Sequence, residues 1–271
     1  MTDDRTSSPR RSGVDISAPH YARVYDYWLG GKDNFIVDRA VGDAMIRAVP
    51  RLHHTAAENR RFVHRVTRYL AAEEGIRQFL DIGIGLPHPP NLHEIAQDVD
   101  PTARIVYVDN DPIVLVHASA LMTSHPDGHV AYLDADLRNP ATILTDPTLC
   151  DTLDLNRPVG LTLIATLMLL ADTDDPWSQV DQLRDALPSG SYLAITHPTA
   201  DFNPAGINTA IATATDAGMP LTARAREAVQ KFFGDWELLC PGLCPVSAWR
   251  PDEPVNNLEA AHAWAGVARK R

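Results

Sequence analysis

From Ile76 onward the chain repeats one pattern, in which a short apolar run is followed by a capped helical stretch and then by another apolar run. The runs are Ile76–Ile82, Arg104–Asp109, His129–Leu133, Val159–Leu163 and Ser191–Thr196. The stretches between them open with helix-start signals. Asn91 stands three residues before Glu94, as in a capping box. Asp111-Pro112, Asn139-Pro140 and Asp175-Pro176 each set a cap residue before a proline at the first helical position. Strand and helix alternating in this way predict a mostly parallel sheet with helices on both faces, an α/β Rossmann-like fold. Trp236–Leu239 and Trp264–Ala268 read as further strands, and the stretch between His197 and Thr222 as Pro- and Asn-rich. Thr222–Phe233 is expected to be helical.

Upstream of this pattern the rhythm is helical. Ser17 is placed to cap a helix starting near Pro19 and carrying Tyr21, Val24, Tyr25 and Trp28. Gly30-Gly31 stops it, and Lys32-Asp33-Asn34 makes a polar turn. A second helix carries Ile36 to Met45 and ends at Pro50. A third is expected from about Thr55 to Glu74, with His53 and His54 in the loop before it. The expected organisation is therefore a disordered tail over 1–16, a helical extension over 17–75 and the Rossmann-like domain over 76–271.

The formal net charge is −11, which disfavours a phosphate backbone as partner and so argues against nucleic acid. No apolar run follows the N-terminal charges, so no signal peptide is expected. The longest apolar stretch, Val159–Ala171, is interrupted by Gly160, Thr162 and Thr166 and is too short to cross a bilayer. The three cysteines lack metal-site spacing and fit a reducing compartment, so the expectation is a cytoplasmic protein with neither metal nor membrane partner.

The first strand ends in Asp81-Ile82-Gly83-Ile84-Gly85. Two glycines one residue apart let the backbone approach a ligand closely at a strand-to-helix turn. Asp109, at the end of the second strand, is placed to accept both hydroxyls of a ribose. After the third strand, the Asp136 carboxylate and a backbone N–H near Leu137 suit an adenine edge. Two nucleoside cofactors compete for this layout. A dinucleotide pyrophosphate would need free amides at the helix start. Pro87, Pro89 and Pro90 remove them, and Asp81 would repel the phosphates. The sulfonium and ammonium of S-adenosylmethionine suit a carboxylate there. D-x-G-x-G in this setting therefore favours S-adenosylmethionine over NAD, and an NAD(P)-dependent oxidoreductase becomes the third-ranked reading.

The segment from His20 through Trp28, Gly30-Gly31 and Asn34 to Phe35 resembles the opening signature of the S-adenosyl methyltransferase family of GC-rich bacteria, long described as a domain of unknown function. Gln78–Pro87, Arg104–Val116, Asp136–Pro140, Gly190–His197 and Trp249–Asp252 resemble it too, so the likeness runs from about Ala18 to Lys270. It implies a class I methyltransferase fold with a seven-stranded sheet whose last strand is antiparallel. It also implies S-adenosylmethionine binding through Asp81, Gly83, Gly85, Asp109, Asn110, Asp136 and Leu137. Ile84 stands where the family usually has Thr, and Met168 where a His is frequent. The Met168 departure leaves room for a non-catalytic sensor or accessory protein as the rival to a methyltransferase.

The N-terminal signature carries more aromatics than a sheet core needs. It is expected to form a lid, with Tyr21, Tyr25 and Asn34 facing the cofactor pocket and Gly30-Gly31 as its hinge. Arg60 is placed to meet the cofactor carboxylate or an acid. His197 and Tyr25 are the candidate catalytic groups. The apolar run Leu167–Leu170 suggests a small apolar or aromatic molecule as methyl acceptor. The oligomeric state is not legible.

Overall fold

A computed structural model describes residues 16–257 and 261–271. The tail expected over 1–16 lies, apart from Ile16, outside the described residues. Three helices come first: α1 (Tyr21–Trp28), α2 (Ile36–Ala48) and α3 (Leu52–Ala72). β1 (Gln78–Ile82), α4 (Leu92–Val99), β2 (Arg104–Asp109), α5 (Pro112–Leu121) and β3 (His129–Asp134) follow. Next are α6 (Pro140–Thr145), α7 (Pro147–Thr152), β4 (Gly160–Ile164), α8 (Pro176–Ala186) and β5 (Tyr192–Pro198). The chain closes with α9 (Pro204–Asp216), α10 (Arg226–Gln230), β6 (Glu237–Leu238), β7 (Cys244–Pro245) and β8 (Ala263–Arg269).

β1 to β5 pair in parallel in the order β3-β2-β1-β4-β5. β8 pairs antiparallel with β5, and β6 and the short β7 pair antiparallel with β8. The sheet thus has eight strands, with two-residue β7 lying beside the expected seven. Parallel register sets the C-terminal ends of β1, β2 and β4 along one edge, with Asp81 beside Tyr107 and Thr162.

Side chains two apart on each strand point to the same face, and each face has its own core. Leu80, Val106, Leu161 and Leu193 pack with Ile143, Val180 and Leu183 on one side. Phe79, Ile105, Tyr107 and Tyr192 pack with Phe62, Val66 and Leu70 of α3 and with Trp249 on the other. α3 is therefore part of the sheet's helix layer. It starts at Leu52, which puts His53 and His54 in its first turn rather than in a loop.

A third cluster joins Val24, Met45, Val49 and Leu52 to Ile207, Ala210, Ala214 and Met219. It fastens α1 and α2 to α9, a helix absent from the sequence expectation. Its start carries the usual signal: the Asn203 side chain accepts from Gly206 N at 3.1 Å, and Pro204 is the first helical residue. Its stripe consists mostly of alanines amid Thr, Asn and Gly, which read as loop. The helix expected over Thr222–Phe233 shortens to α10 and one 3₁₀ turn. α1 begins at Tyr21 with His20 in the cap position and no side-chain cap, so Ser17 does not start it.

Candidate active site

A cavity of about 330 Å³ opens at the C-terminal edge of the sheet, where ligands bind in sheets of this topology. Its floor is the turn after β1. Gly83 and Gly85 both have positive φ, at 82° and 64°, which glycine adopts without strain. A side chain at Gly83 would run into Thr166, whereas at Gly85 the space is open. The turn is thus packed from behind and clear in front. Asp81 and Asp109 both line the cavity. Asp81 accepts from Thr162 Oγ1 at 2.5 Å, and burial raises its pKa to about 6. The Asp109 oxygens accept one backbone N–H each, from Asp111 at 3.0 Å and from Gly85 at 3.2 Å. Burial raises the Asp109 pKa as well. A carboxylate has about four acceptor sites, so Asp109 keeps capacity for a ligand's hydroxyls.

Asn110 lines the cavity, but Asp136 and Leu137 do not. Asp136 accepts from Asn110 Nδ2 at 3.0 Å and Arg138 Nη1 at 2.8 Å, and both donors belong to cavity-lining residues. Its carboxylate therefore positions the wall rather than forming it. Leu137 is buried among the core residues of one sheet face. Tyr21 and Tyr25 line the cavity from α1. The Tyr21 hydroxyl donates to Pro220 O, bringing α1 against the segment after α9. Asn34 lies outside the cavity, on a smaller one of about 180 Å³. Its amide is committed to Asp26 Oδ2 at 2.8 Å and Gly31 O at 3.0 Å.

Of the Gly30-Gly31 pair, Gly31 is packed against Asp26, whereas Gly30 is exposed with a φ of 78° and open space around it. A Cβ on Gly31 would lie 1.9 Å from Asp26 Oδ1, so glycine is required for the turn to pack. Arg60 lines the cavity, where its guanidinium donates to Pro90 O at 2.6 Å and also to His88 O. It therefore ties the proline-rich loop to α3.

A second, apolar cavity of about 100 Å³ adjoins the first. Tyr25, Asn59, Ala165 and Met168 line both. Met45, Leu52, Ile207, Ala210 and Leu221 contribute its apolar wall. Ala165 has φ of 54°, a strained conformation for a non-glycine residue, and its N–H is held by Thr196 Oγ1 at 3.0 Å. His197 lines this cavity, yet neither ring nitrogen is open. Nδ1 lies 2.9 Å from Pro198 O, and Nε2 lies 2.9 Å from Arg224 Nη1. Arg224 can only donate, so Nε2 accepts and the ring is neutral. Burial lowers its pKa to about 3. The expectation of His197 as a base gives way to a buried structural role. Tyr25 is engaged too, donating to Ala56 O at 3.1 Å and accepting from Asn59 Nδ2 at 2.9 Å. Asn59, Thr162 and the strained Ala165 carried no motif by which sequence could single them out.

A family model described as S-adenosyl methyltransferase matches residues 7–271. The chain belongs to that family. The methyltransferase is 45% identical to a DUF574 family protein of Streptomyces avermitilis, covering 95% of this chain and 99% of that one, with a TM-score of 0.92. It is 41% identical to a candidate methyltransferase of Thermobifida fusca, covering 98% and 100%, with a TM-score of 0.88. No curated protein matches the chain. Its cofactor is S-adenosylmethionine, and the residues present suit that cofactor. Two half-buried acids on the cavity wall and a glycine turn with open space in front fit a cationic nucleoside. Among the described residues no helix is long and apolar enough to cross a membrane.

Proposed function

We propose that this methyltransferase holds S-adenosylmethionine in the larger cavity and methylates a small molecule seated in the apolar one. Asp109 would take the ribose hydroxyls, and Asn110, positioned by Asp136, would lie beside the adenine. Asp81 would face the cationic end across the Gly83–Gly85 turn. When bound, S-adenosylmethionine supplies an electrophilic methyl group on a sulfonium sulfur. The chain's own contribution is orientation and the exclusion of water. Tyr25 closes one side of both cavities, and Ala165 and Met168 line the boundary between them. That shared boundary is the observation supporting the reading, since transfer requires donor and acceptor to meet across it. A cavity of about 100 Å³ favours a small acceptor or a small end of one.

Calorimetry against S-adenosylmethionine, S-adenosylhomocysteine and NAD in turn tests the first half. Both sulfur nucleosides should bind, and NAD should give no heat. NAD binding without either of the others would overturn it. Incubation with methyl-labelled S-adenosylmethionine and a bacterial extract tests the second half. Label should appear in a low-molecular-weight product, and label confined to protein or nucleic acid would overturn a small-molecule acceptor.

A further inference from the structure

Asn59 is 5% exposed and is one of the residues lining both cavities. The two ends of its amide differ. The Tyr25 hydroxyl has one proton, and this goes to Ala56 O at 3.1 Å. What Tyr25 takes from Asn59 must then come from an N–H, which fixes Nδ2 toward Tyr25 at 2.9 Å. Oδ1 is the other end, buried and without a hydrogen-bond partner. An orphaned buried acceptor is costly, and its place on the boundary between two cavities points to a donor brought in by a ligand.

The apolar cavity offers few other polar groups. His197 and Tyr25 are committed as described, Thr196 Oγ1 holds Ala165 N, Thr55 Oγ1 donates to Arg51 O at 3.4 Å, and Thr222 adds one neutral hydroxyl. Met168, a thioether, cannot take a proton. Among the described residues, no acidic or basic side chain other than His197 lines this cavity. A hydroxyl acceptor would have to shed its proton during transfer, with no base beside it. An anionic acceptor would be buried without a counter-charge. An uncharged amine meets neither obstacle, because it attacks with a lone pair it already carries.

We propose that the methyl acceptor is a small, largely apolar amine whose N–H donates to Asn59 Oδ1, which turns the nitrogen lone pair toward the cofactor cavity. This rests on the two-cavity reading above. In the step the nitrogen lone pair forms the N–CH₃ bond, and the C–S electron pair returns to sulfur, leaving S-adenosylhomocysteine. The nitrogen becomes an ammonium and its proton leaves with the product, so the chain needs no base. Asn59 is a positioning residue.

The test uses the full chain saturated with S-adenosylhomocysteine and three probes of one shape: aniline, phenol and toluene. Binding is read by ligand-detected NMR, and transfer by mass spectrometry with methyl-labelled S-adenosylmethionine. Wild type should hold aniline roughly tenfold more tightly than toluene, as one hydrogen bond allows. It should methylate aniline on nitrogen and leave phenol unmethylated. Asn59→Leu should bring the ratio of aniline to toluene affinity to near unity. Asn59→Asp, which retains acceptor oxygens, should keep the preference. An aniline preference surviving in Asn59→Leu would overturn the proposal, as would methylation of phenol in place of aniline. Loss of S-adenosylhomocysteine affinity in Asn59→Leu would overturn it too, by assigning Oδ1 to the cofactor. Failure of the two-cavity reading looks different: toluene and aniline would both fail to bind while S-adenosylhomocysteine still does.

Discussion

Asp81 is a half-buried carboxylate that leans on one hydroxyl, and among the described residues it forms no ion pair. Its pKa of about 6 means that the ligand-free protein takes up a proton there more readily than the unfolded chain does. Asp81 therefore withdraws stability as pH rises from 3.8 through about 6. A cationic ligand favours the ionised form and reverses the sense. Affinity for S-adenosylmethionine should be full above pH 6 and should fall by up to about tenfold for each pH unit below it. Asp81→Asn should flatten this profile, and calorimetry across pH 4.5 to 8 checks both. Asp109 belongs to the same scale. Asp109→Ala should weaken cofactor binding by roughly 2–4 kcal/mol, with a smaller loss of thermal stability from the Gly85 and Asp111 N–H groups it leaves without that acceptor. An unchanged dissociation constant would place the nucleoside elsewhere. Asp81, Gly83, Gly85 and Asp109 were legible because strand-end acids and a glycine turn are local in sequence. Asn59 was not, because its meaning depends on where Tyr25 spends its one proton.

Among the elements, strands β1 to β5 were legible from apolar runs bounded by caps. Asp111 capping Ile113 N at 2.9 Å and the Asn91–Glu94 box match their sequence signals. α9 escaped because alanines give a weak stripe, and its burial comes from α1 and α2, which lie far away in the chain. The turn joining α1 to α2 is expected to hinge at its two glycines, and in the structure Asp38 ties the residues flanking that turn. Its carboxylate is fully buried and accepts from Arg23 Nε at 2.9 Å, Phe35 N at 2.8 Å and His20 N at 2.9 Å. Asp38→Ala removes the partner of a buried cation and should cost roughly 3–5 kcal/mol, read as a drop in denaturation midpoint. A loss within about 0.5 kcal/mol would mean this tie is dispensable.

In the whole molecule, the N-terminal helices are both structure and wall. They complete the third apolar cluster and line both cavities. Truncation ending before Ile36 should therefore lower the melting temperature and abolish cofactor binding together, while the sheet's circular dichroism persists. Normal affinity in a folded truncation would separate the two roles and exclude α1 from the site. The larger cavity takes its glycine turn and Asp109 from one βαβ unit and most of its remaining wall from α1, α3 and the segment after β4. The apolar cavity is assembled from segments distant in sequence, with Met45 and Leu52 facing Ile207, Ala210 and Leu221.

That division has a consequence for how such a protein diversifies. Met45 on α2 and Ile207 on α9 share one cluster and one cavity, so neither can change size alone without leaving a void or a clash. Met45→Ala and Ile207→Ala should be coupled by about 0.5–3 kcal/mol in a double-mutant cycle, whereas either should be additive with Asp109→Ala. On the proposed function, a lineage exploring new acceptors would alter these two distant segments in matched pairs and leave the Gly83–Gly85 turn and Asp109 untouched.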